Sequence, residues 1–197
     1  LFSILALVGS PSTPAQTMEI TPFVGYRLGG EIEDAATSSD LDVDESSSYG
    51  LIFNYALDPN GQIEIILGRQ ETTLVDDDDL FLGTPILDLD VDYYHFGGLY
   101  QWDGKKARPF ITGSLGVTHM SPARPGFDSE TRFSVGLGFG AKLFAGEHVG
   151  FRFEGRGFAT LMDSGGTIFC SNGSCLVEIE GDLLWQFEAR AGLILAF

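Results

Sequence analysis

Residues 183–197 read LLWQFEARAGLILAF, and their alternation decides the fold. Trp185, Phe187, Ala189, Ala191, Leu193, Leu195 and Phe197 fall on one parity, and Gln186, Glu188, Arg190 and Gly192 on the other. Successive side chains of an extended strand point to opposite faces, so this segment is a strand with one apolar and one polar face. The same pattern recurs upstream. Val149, Phe151, Phe153, Ala159 and Leu161 oppose Arg152, Glu154 and Arg156. Phe133, Val135, Leu137, Phe139, Ala141 and Leu143 oppose Arg132, Ser134, Gly136, Gly138, Gly140 and Lys142. Leu51, Phe53, Tyr55 and Leu57 oppose Gly50, Asn54 and Ala56.

Extending this reading predicts eight strands, at 18–28, 48–57, 62–72, 89–102, 108–119, 131–144, 148–161 and 183–197. Their connections alternate between long and short. The short ones are Asp58-Pro59-Asn60-Gly61, residues 103–107 and the turn around Ala145-Gly146-Glu147. Asp58–Gly61 is a strong turn signal, because Pro presets φ and Asn-Gly supplies positive φ. The long connections are 29–47, 73–88, 120–130 and 162–182. A soluble sandwich has no reason to alternate its loop lengths. An up-and-down membrane barrel does, with short periplasmic turns and long extracellular loops. An even strand number then puts both ends of the barrel on the periplasmic side.

The two faces say which side is inside. A soluble barrel turns its apolar face inward. Here the polar face is small and crowded, with glycines, Ser and Ala between a few large charges, and that suits a narrow lumen. The other face is rich in Phe and Leu, with Tyr55, Tyr94, Tyr100, Trp102 and Trp185 near strand ends, as in aromatic girdles. About ten residues per strand also fits a tilted membrane crossing. The expected fold is therefore all-β, an eight-stranded antiparallel up-and-down transmembrane β-barrel. Two features break the pattern. Asp90 and Asp92 share the parity of Tyr94, Phe96, Tyr100 and Trp102, so either they lie above the lipid or a bulge near Tyr93-Tyr94 changes the phase. Pro22 removes a ladder donor from the first strand.

Composition agrees. The chain has 197 residues, 44% hydrophobic and 20% charged, with 26 Gly and 16 Phe. No internal window holds a run of 18 apolar residues, which argues against a membrane helix. The net charge of −17 makes a nucleic-acid binder a poor reading, since phosphate contacts need Lys and Arg. Fifteen of the 28 acidic residues lie in two segments, 31–45 and 71–92. Leu1 to Gly9 forms a short apolar run, and Thr13-Pro14-Ala15 places small residues where a leader peptidase cuts. Residues 1–15 are thus expected to be a signal peptide, shortened at its start, and 16–197 the barrel domain. Cys170 and Cys175 match no C-x-x-C motif, and no second pair completes a zinc site. In an exported chain they are expected to form a structural disulfide closing a small loop.

The chain resembles the small eight-stranded outer-membrane β-barrel family that includes the OmpA transmembrane domain and OmpX. The resemblance covers about residues 18–197 and rests on strand pattern, loop alternation and the terminal Leu195-Ala196-Phe197. It implies a bacterial, Gram-negative outer-membrane location. It also implies that Phe197 is part of the signal read by the barrel-assembly machinery, with membrane lipid and lipopolysaccharide as surroundings and a monomer as the unit. Members of the family do not share one activity, so the resemblance implies no reaction.

Three constellations could carry function. By parity Arg27, Glu64, Arg132, Lys142, Arg152, Glu154, Arg156, Glu188 and Arg190 point inward. Pairing the last two strands sets Arg156 beside Glu188 and Glu154 beside Arg190, and closing the barrel brings Arg27 near Glu188. Unpaired charges in a narrow lumen are costly, so a salt-bridged plug is expected, with a narrow pore for small solutes as the alternative. Second, Asp40–Asp44 and Asp88–Asp92 both read Asp-Leu-Asp-Val-Asp, and 76–79 adds four more aspartates. Neither run has the Gly and Glu of a calcium EF-loop, so no metal site is assigned. Weak divalent binding that bridges to lipopolysaccharide phosphates is the functional alternative to a solvated, repelling loop. Third, His119-Met120-Ser121 could set base and nucleophile on one strand face, as in lipid A hydrolases of this membrane. Glu130 has the wrong parity to complete such a site and Pro122 follows Ser121, so the chain is expected not to be an enzyme and to need no cofactor. His95 reads as a lumen residue and His148 as a turn residue. The expected role is structural or surface-interacting.

Overall fold

The computed structural model describes residues 17–29, 31–34, 39–76, 84–104, 106–123, 126–162, 167–171, 174–178 and 183–197, with backbone alone at 31–34, 39–43, 74–76, 84–86, 167–171 and 174–178. The expected leader, residues 1–15, lies outside the described residues.

Twelve strands are present among the described residues: β1 Met18–Leu28, β2 Glu31–Asp34, β3 Ser39–Val43, β4 Ser46–Ala56, β5 Gly61–Asp76, β6 Thr84–Gln101, β7 Ala107–Pro122, β8 Glu130–Phe144, β9 Val149–Leu161, β10 Thr167–Ser171, β11 Ser174–Glu178 and β12 Leu183–Ala196. Eight of them, β1, β4 to β9 and β12, pair antiparallel with their neighbours, and the β5–β6 pairing closes the ring. The wall is therefore the expected eight-stranded barrel. No helix among the described residues is long and apolar enough to cross a membrane.

The barrel's shape follows from its register. Starting at His119 on β7, the pairing runs through Asp92, Arg69, Tyr49, Val24, Ala191, Phe153 and Ala141 and returns to β7 at Pro109, ten residues along. With ordinary strand rise and spacing, that shear over eight strands tilts them by about 40° and gives a radius of about 8 Å. Such a barrel holds side chains and little else. Its seam is tied to the last residue: the Phe197 carbonyl accepts from Thr17 N (3.0 Å), and Phe197 N donates to the Met18 carbonyl (2.9 Å).

Two expectations change in detail. The segments 29–47 and 162–182 each carry a hairpin, β2–β3 and β10–β11, and β3 continues the sheet along the upper end of β5. The turn at Asp58–Gly61 does not rely on a positive φ at Gly61. Among the described glycines positive φ occurs at Gly29 (76°) and Gly126 (97°). Instead the Asp58 carboxylate accepts from Asn60 N (2.9 Å) and Gly61 N (2.7 Å), closing the turn through a side chain.

The apolar face does point outward. Leu137 and Phe139 are 73% and 70% exposed, whereas Glu64 and Arg152 are 0% and 1% exposed. This is the polarity a hydrocarbon surround demands. Glycines on the inner face make room for large rings. A Cβ on Gly50 would stand 2.8 Å from the Phe23 ring, and one on Gly140 would stand 2.7 Å from Phe110.

At the end opposite the short turns the polarity inverts. On β6, Asp88, Asp90 and Asp92 point outward while Leu87, Leu89, Val91 and Tyr93 are buried inside. They pack with Met120, Phe158, Met162 and Leu184 into an apolar cluster that includes Phe127. No register shift occurs near Tyr93-Tyr94; the β5–β6 irregularity is between Leu74 and Val75. The aspartates thus keep their phase and sit beyond the apolar belt, the first of the two expected outcomes. Strands β5, β6 and β7 continue beyond the apolar belt, and there β6 has the faces of a water-soluble barrel strand, apolar inside and charged outside.

Candidate functional site

The lumen is the most elaborate cluster of polar side chains. Parity places Arg27, Glu64, Lys142, Arg152, Glu154, Arg156, Glu188 and Arg190 inside, and all eight are buried. Glu154 and Glu64 form its hub. Glu154 accepts from Arg152 Nε (2.7 Å), Arg156 Nε (2.8 Å) and Arg190 Nη2 (2.7 Å). Glu64 accepts from Arg152 Nη2 (2.7 Å), Arg156 Nη2 (2.6 Å), Asn54 Nδ2 (3.1 Å) and Thr112 Oγ1 (2.9 Å). Glu188 accepts from Arg27 Nη2 (3.1 Å) and from the Ser48 hydroxyl. Charge-assisted bonds of this kind offset the desolvation of groups that would otherwise be costly to bury.

Two of the three expected pairs are made, Arg27–Glu188 and Arg190–Glu154. The third is corrected. Arg156 stands opposite Glu188 in the register, yet its guanidinium reaches Glu64 and Glu154. Arg27 already holds Glu188, and Arg156 has two carboxylates on its other side. Arg132 stands at the rim with an 18% exposed side chain, 3.4 Å from Glu130.

Sequence reasoning left out the periplasmic end of the network. Lys142 Nζ donates to Glu19 (2.5 Å) and to Gln62 (2.7 Å). Glu19 shares the parity of Arg27 on β1, so alternation alone could have found it. It also left out the inward rings. Arg27 lies 4.2 Å over Tyr93, Arg152 4.6 Å over Phe110 and Arg190 4.8 Å over Phe23. A guanidinium stacks well on such faces, so the rings fill space and support charge together. His95 is buried here as expected, between Ser114 Oγ (3.0 Å) and Ser134 Oγ (2.8 Å).

Beyond the belt, the outer face of β5 and β6 carries an ion cluster. Arg69 donates to Asp90, lies 3.7 Å from Asp92 and 4.0 Å from Glu71, and Tyr49 donates to Glu71 (3.1 Å). On neighbouring β7, Ser121 Oγ is 3.1 Å from His119 Nε2, so the expected proximity of nucleophile and base is present. The other ring nitrogen, Nδ1, meets Thr131 Oγ1 at 2.7 Å. A hydroxyl orients the ring but supplies no negative charge to a developing imidazolium. Glu130 faces the lumen side with Arg132, and Asp92, opposite His119 in the register, is engaged by Arg69. No group of three or more His, Cys, Asp or Glu able to hold a metal occurs among the described residues. Cys170 and Cys175 stand directly opposite one another in the β10–β11 register, and their side chains lie outside the described residues.

The geometry can be set beside known proteins. Neisserial surface protein A is similar with a TM-score of 0.63 and 11% identity, over 91% of this chain and 97% of its own. AlkL, an outer membrane protein determined in lipid bilayers, is similar with a TM-score of 0.63 and 14% identity, over 99% and 97%. OprG from Pseudomonas aeruginosa gives 0.56 and 16%, over 92% and 96%. At such identities the likeness carries the fold alone. No curated protein matches the chain. A family model described as outer membrane protein beta-barrel domain matches residues 3–168. That span is most of the chain, and the inside-out wall agrees with it: this protein belongs to the outer membrane protein beta-barrel domain family and resides in the bacterial outer membrane.

Proposed function

We propose that this barrel is closed to ions, performs no reaction, and acts at the cell surface through a strongly acidic extracellular crown. The distribution of charge carries the reading. Of 28 acidic and 11 basic residues, four carboxylates and five cations are buried in the lumen. Three of each, Asp58, Asp103 and Glu147 with Lys105, Lys106 and Arg108, fall at the short turns. At the opposite end the described residues carry fifteen acids against two bases, Arg69 and Arg132, a net charge of −13. A field of one sign on that scale attracts cationic partners and repels anionic ones over about a Debye length.

Closure is supported by the layers inside the wall. A solute would have to displace the Glu64–Glu154 hub and then the apolar cluster around Tyr93 and Phe158. The pairing of Ser121 and His119 favours a hydrolase less than its spacing suggests, because the ring's other partner is Thr131. In this reading the barrel is a monomer in lipid and lipopolysaccharide, inserted through its Phe197 signal, with Cys170 and Cys175 joined in the displayed hairpin.

Reconstitution tests it. Planar bilayers holding the barrel should show no single-channel steps, and proteoliposomes should bind polylysine at low salt and release it near 1 M salt. Discrete conductance steps would return the pore reading. Absence of polylysine binding at low salt would remove the acidic crown as the functional surface.

A further inference from the structure

We propose that the β6–β7 turn, at the end of the barrel opposite the acidic crown, holds one anionic phospholipid by its phosphate. Residues 103–108 read Asp-Gly-Lys-Lys-Ala-Arg, three bases against one acid, a net charge of +2 within a chain of net charge −17. The ion pairs single this turn out. Every other described Lys and Arg lies within 3.4 Å of a carboxylate oxygen. Among the described residues Lys106 and Arg108 have no such partner, although the chain holds 28 acids against 11 bases. The acids of the other short turns do not offset them. The Asp58 carboxylate is taken up by Asn60 N and Gly61 N, and Glu147 belongs to the β8–β9 turn.

The surroundings place this charge at a head-group boundary. Trp102 precedes the turn and is 46% exposed, with Tyr100 edge-on at 5.4 Å, and such amphipathic rings favour that level of a membrane. Trp102 N donates to the Pro109 carbonyl (2.9 Å), which ties β6 to β7 just below the turn. The outward residues of β7 there are Ala107 and Pro109, both small and exposed, opposite Leu143 and Ala141 on β8. They keep the wall low between Trp102 and Leu143, where the glycerol of a lipid can rest. Arg108 alternates with them and turns to the barrel lip, where its guanidinium lies 4.8 Å over the Phe144 ring. That stack holds the group by its face and leaves its N–H edge free. A guanidinium meets a phosphate through two parallel bonds, and an ammonium meets it as a point charge. A head of net negative charge, as phosphatidylglycerol carries, is therefore matched by Lys106 and Arg108. The ammonium of a zwitterionic head has Asp103 alone within the turn to meet it.

The test is native mass spectrometry of the folded barrel in detergent, offered phosphatidylglycerol and phosphatidylethanolamine with identical chains in equal amounts. The wild type should retain one molecule of the glycerol lipid, about fivefold over the ethanolamine lipid, with the preference shrinking as ionic strength rises. Lys106→Gln combined with Arg108→Gln should bring the two lipids to equal retention, whereas Arg69→Gln at the other end of the barrel should leave the preference as it is. An excess of inorganic phosphate during incubation should not displace the lipid, because the girdle and the wall hold the rest of the molecule. Heat-modifiable migration on gels establishes that the variants fold. Equal retention by the wild type, preference for the ethanolamine lipid, a preference that survives the double variant or is lost in Arg69→Gln, or displacement by phosphate would each overturn the proposal.

Discussion

Replacing Glu154 with Gln keeps the shape of the side chain and removes the charge at the centre of the lumen. Glu154 accepts from three guanidinium groups at 2.7, 2.8 and 2.7 Å. Each charge-assisted bond is worth about 1.5–3 kcal/mol, but glutamine retains an acceptor oxygen, so the bonds are not all lost. The larger effect is charge left without compensation. The five buried cations would face three carboxylates instead of four, and breaking a buried pair costs about 3–5 kcal/mol. With a urea dependence of about 2 kcal/mol per molar, the unfolding midpoint should fall by about 2 M. The assay is equilibrium unfolding in lipid vesicles, followed by fluorescence of Trp102 and Trp185. Glu147→Gln in the exposed β8–β9 turn should move stability by less than about 0.5 kcal/mol. The double substitution Glu154→Gln with Arg190→Gln should recover part of the loss, because it removes one of the stranded charges. A loss below about 1 kcal/mol for Glu154→Gln, or no recovery in the double variant, would refute the argument that the lumen is held by paired charge.

Three further outcomes are expected. Val91→Asn places an amide inside the apolar cluster beyond the belt and should cost about 3 kcal/mol, whereas Asp90→Asn on the adjacent outward position should cost less than about 1 kcal/mol in the same unfolding assay. Cys170 and Cys175 should resist alkylation by a maleimide until a reductant is added, and two adducts without reductant would exclude the bridge. Phe197→Ser should lower the amount of barrel assembled in the outer membrane of cells while the purified chain still refolds in detergent; equal assembly in cells would remove the signal role of the terminal ring.

The wall was legible because hydrocarbon and lumen make opposite demands at every step along a strand. From Trp185 to Phe197 alternation gives the two faces, and the small, crowded residues of the polar face, such as Ser134, Gly136, Gly138 and Gly140 on β8, say that this face is the lumen. The extension of β5, β6 and β7 was harder to see. Asp88-Leu89-Asp90-Val91-Asp92 alternates just as cleanly, but parity does not tell where the bilayer ends, and the same alternation has opposite meanings on the two sides of that boundary. Within the lumen, parity identified which charges face inward, and the hairpin register identified which stand opposite. It could not choose the partner of Arg156, because an arginine long enough to reach several carboxylates is placed by competition with Arg27, Arg152 and Arg190. The Ser121–His119 contact followed from spacing, while the Thr131 that completes it depends on the β7–β8 register.

The inside-out wall with an inverted collar is tested most directly by spin labels along β6, in a background where Cys170 and Cys175 are replaced by Ser. Labels at Tyr94 and Phe96 should be relaxed by oxygen dissolved in the bilayer, labels at Asp88 and Asp90 by a water-soluble nickel complex, and labels at His95 and Val91 by neither. Nickel access at Phe96 with oxygen access at His95, or one uniform profile from Asp88 to Phe96, would contradict the account.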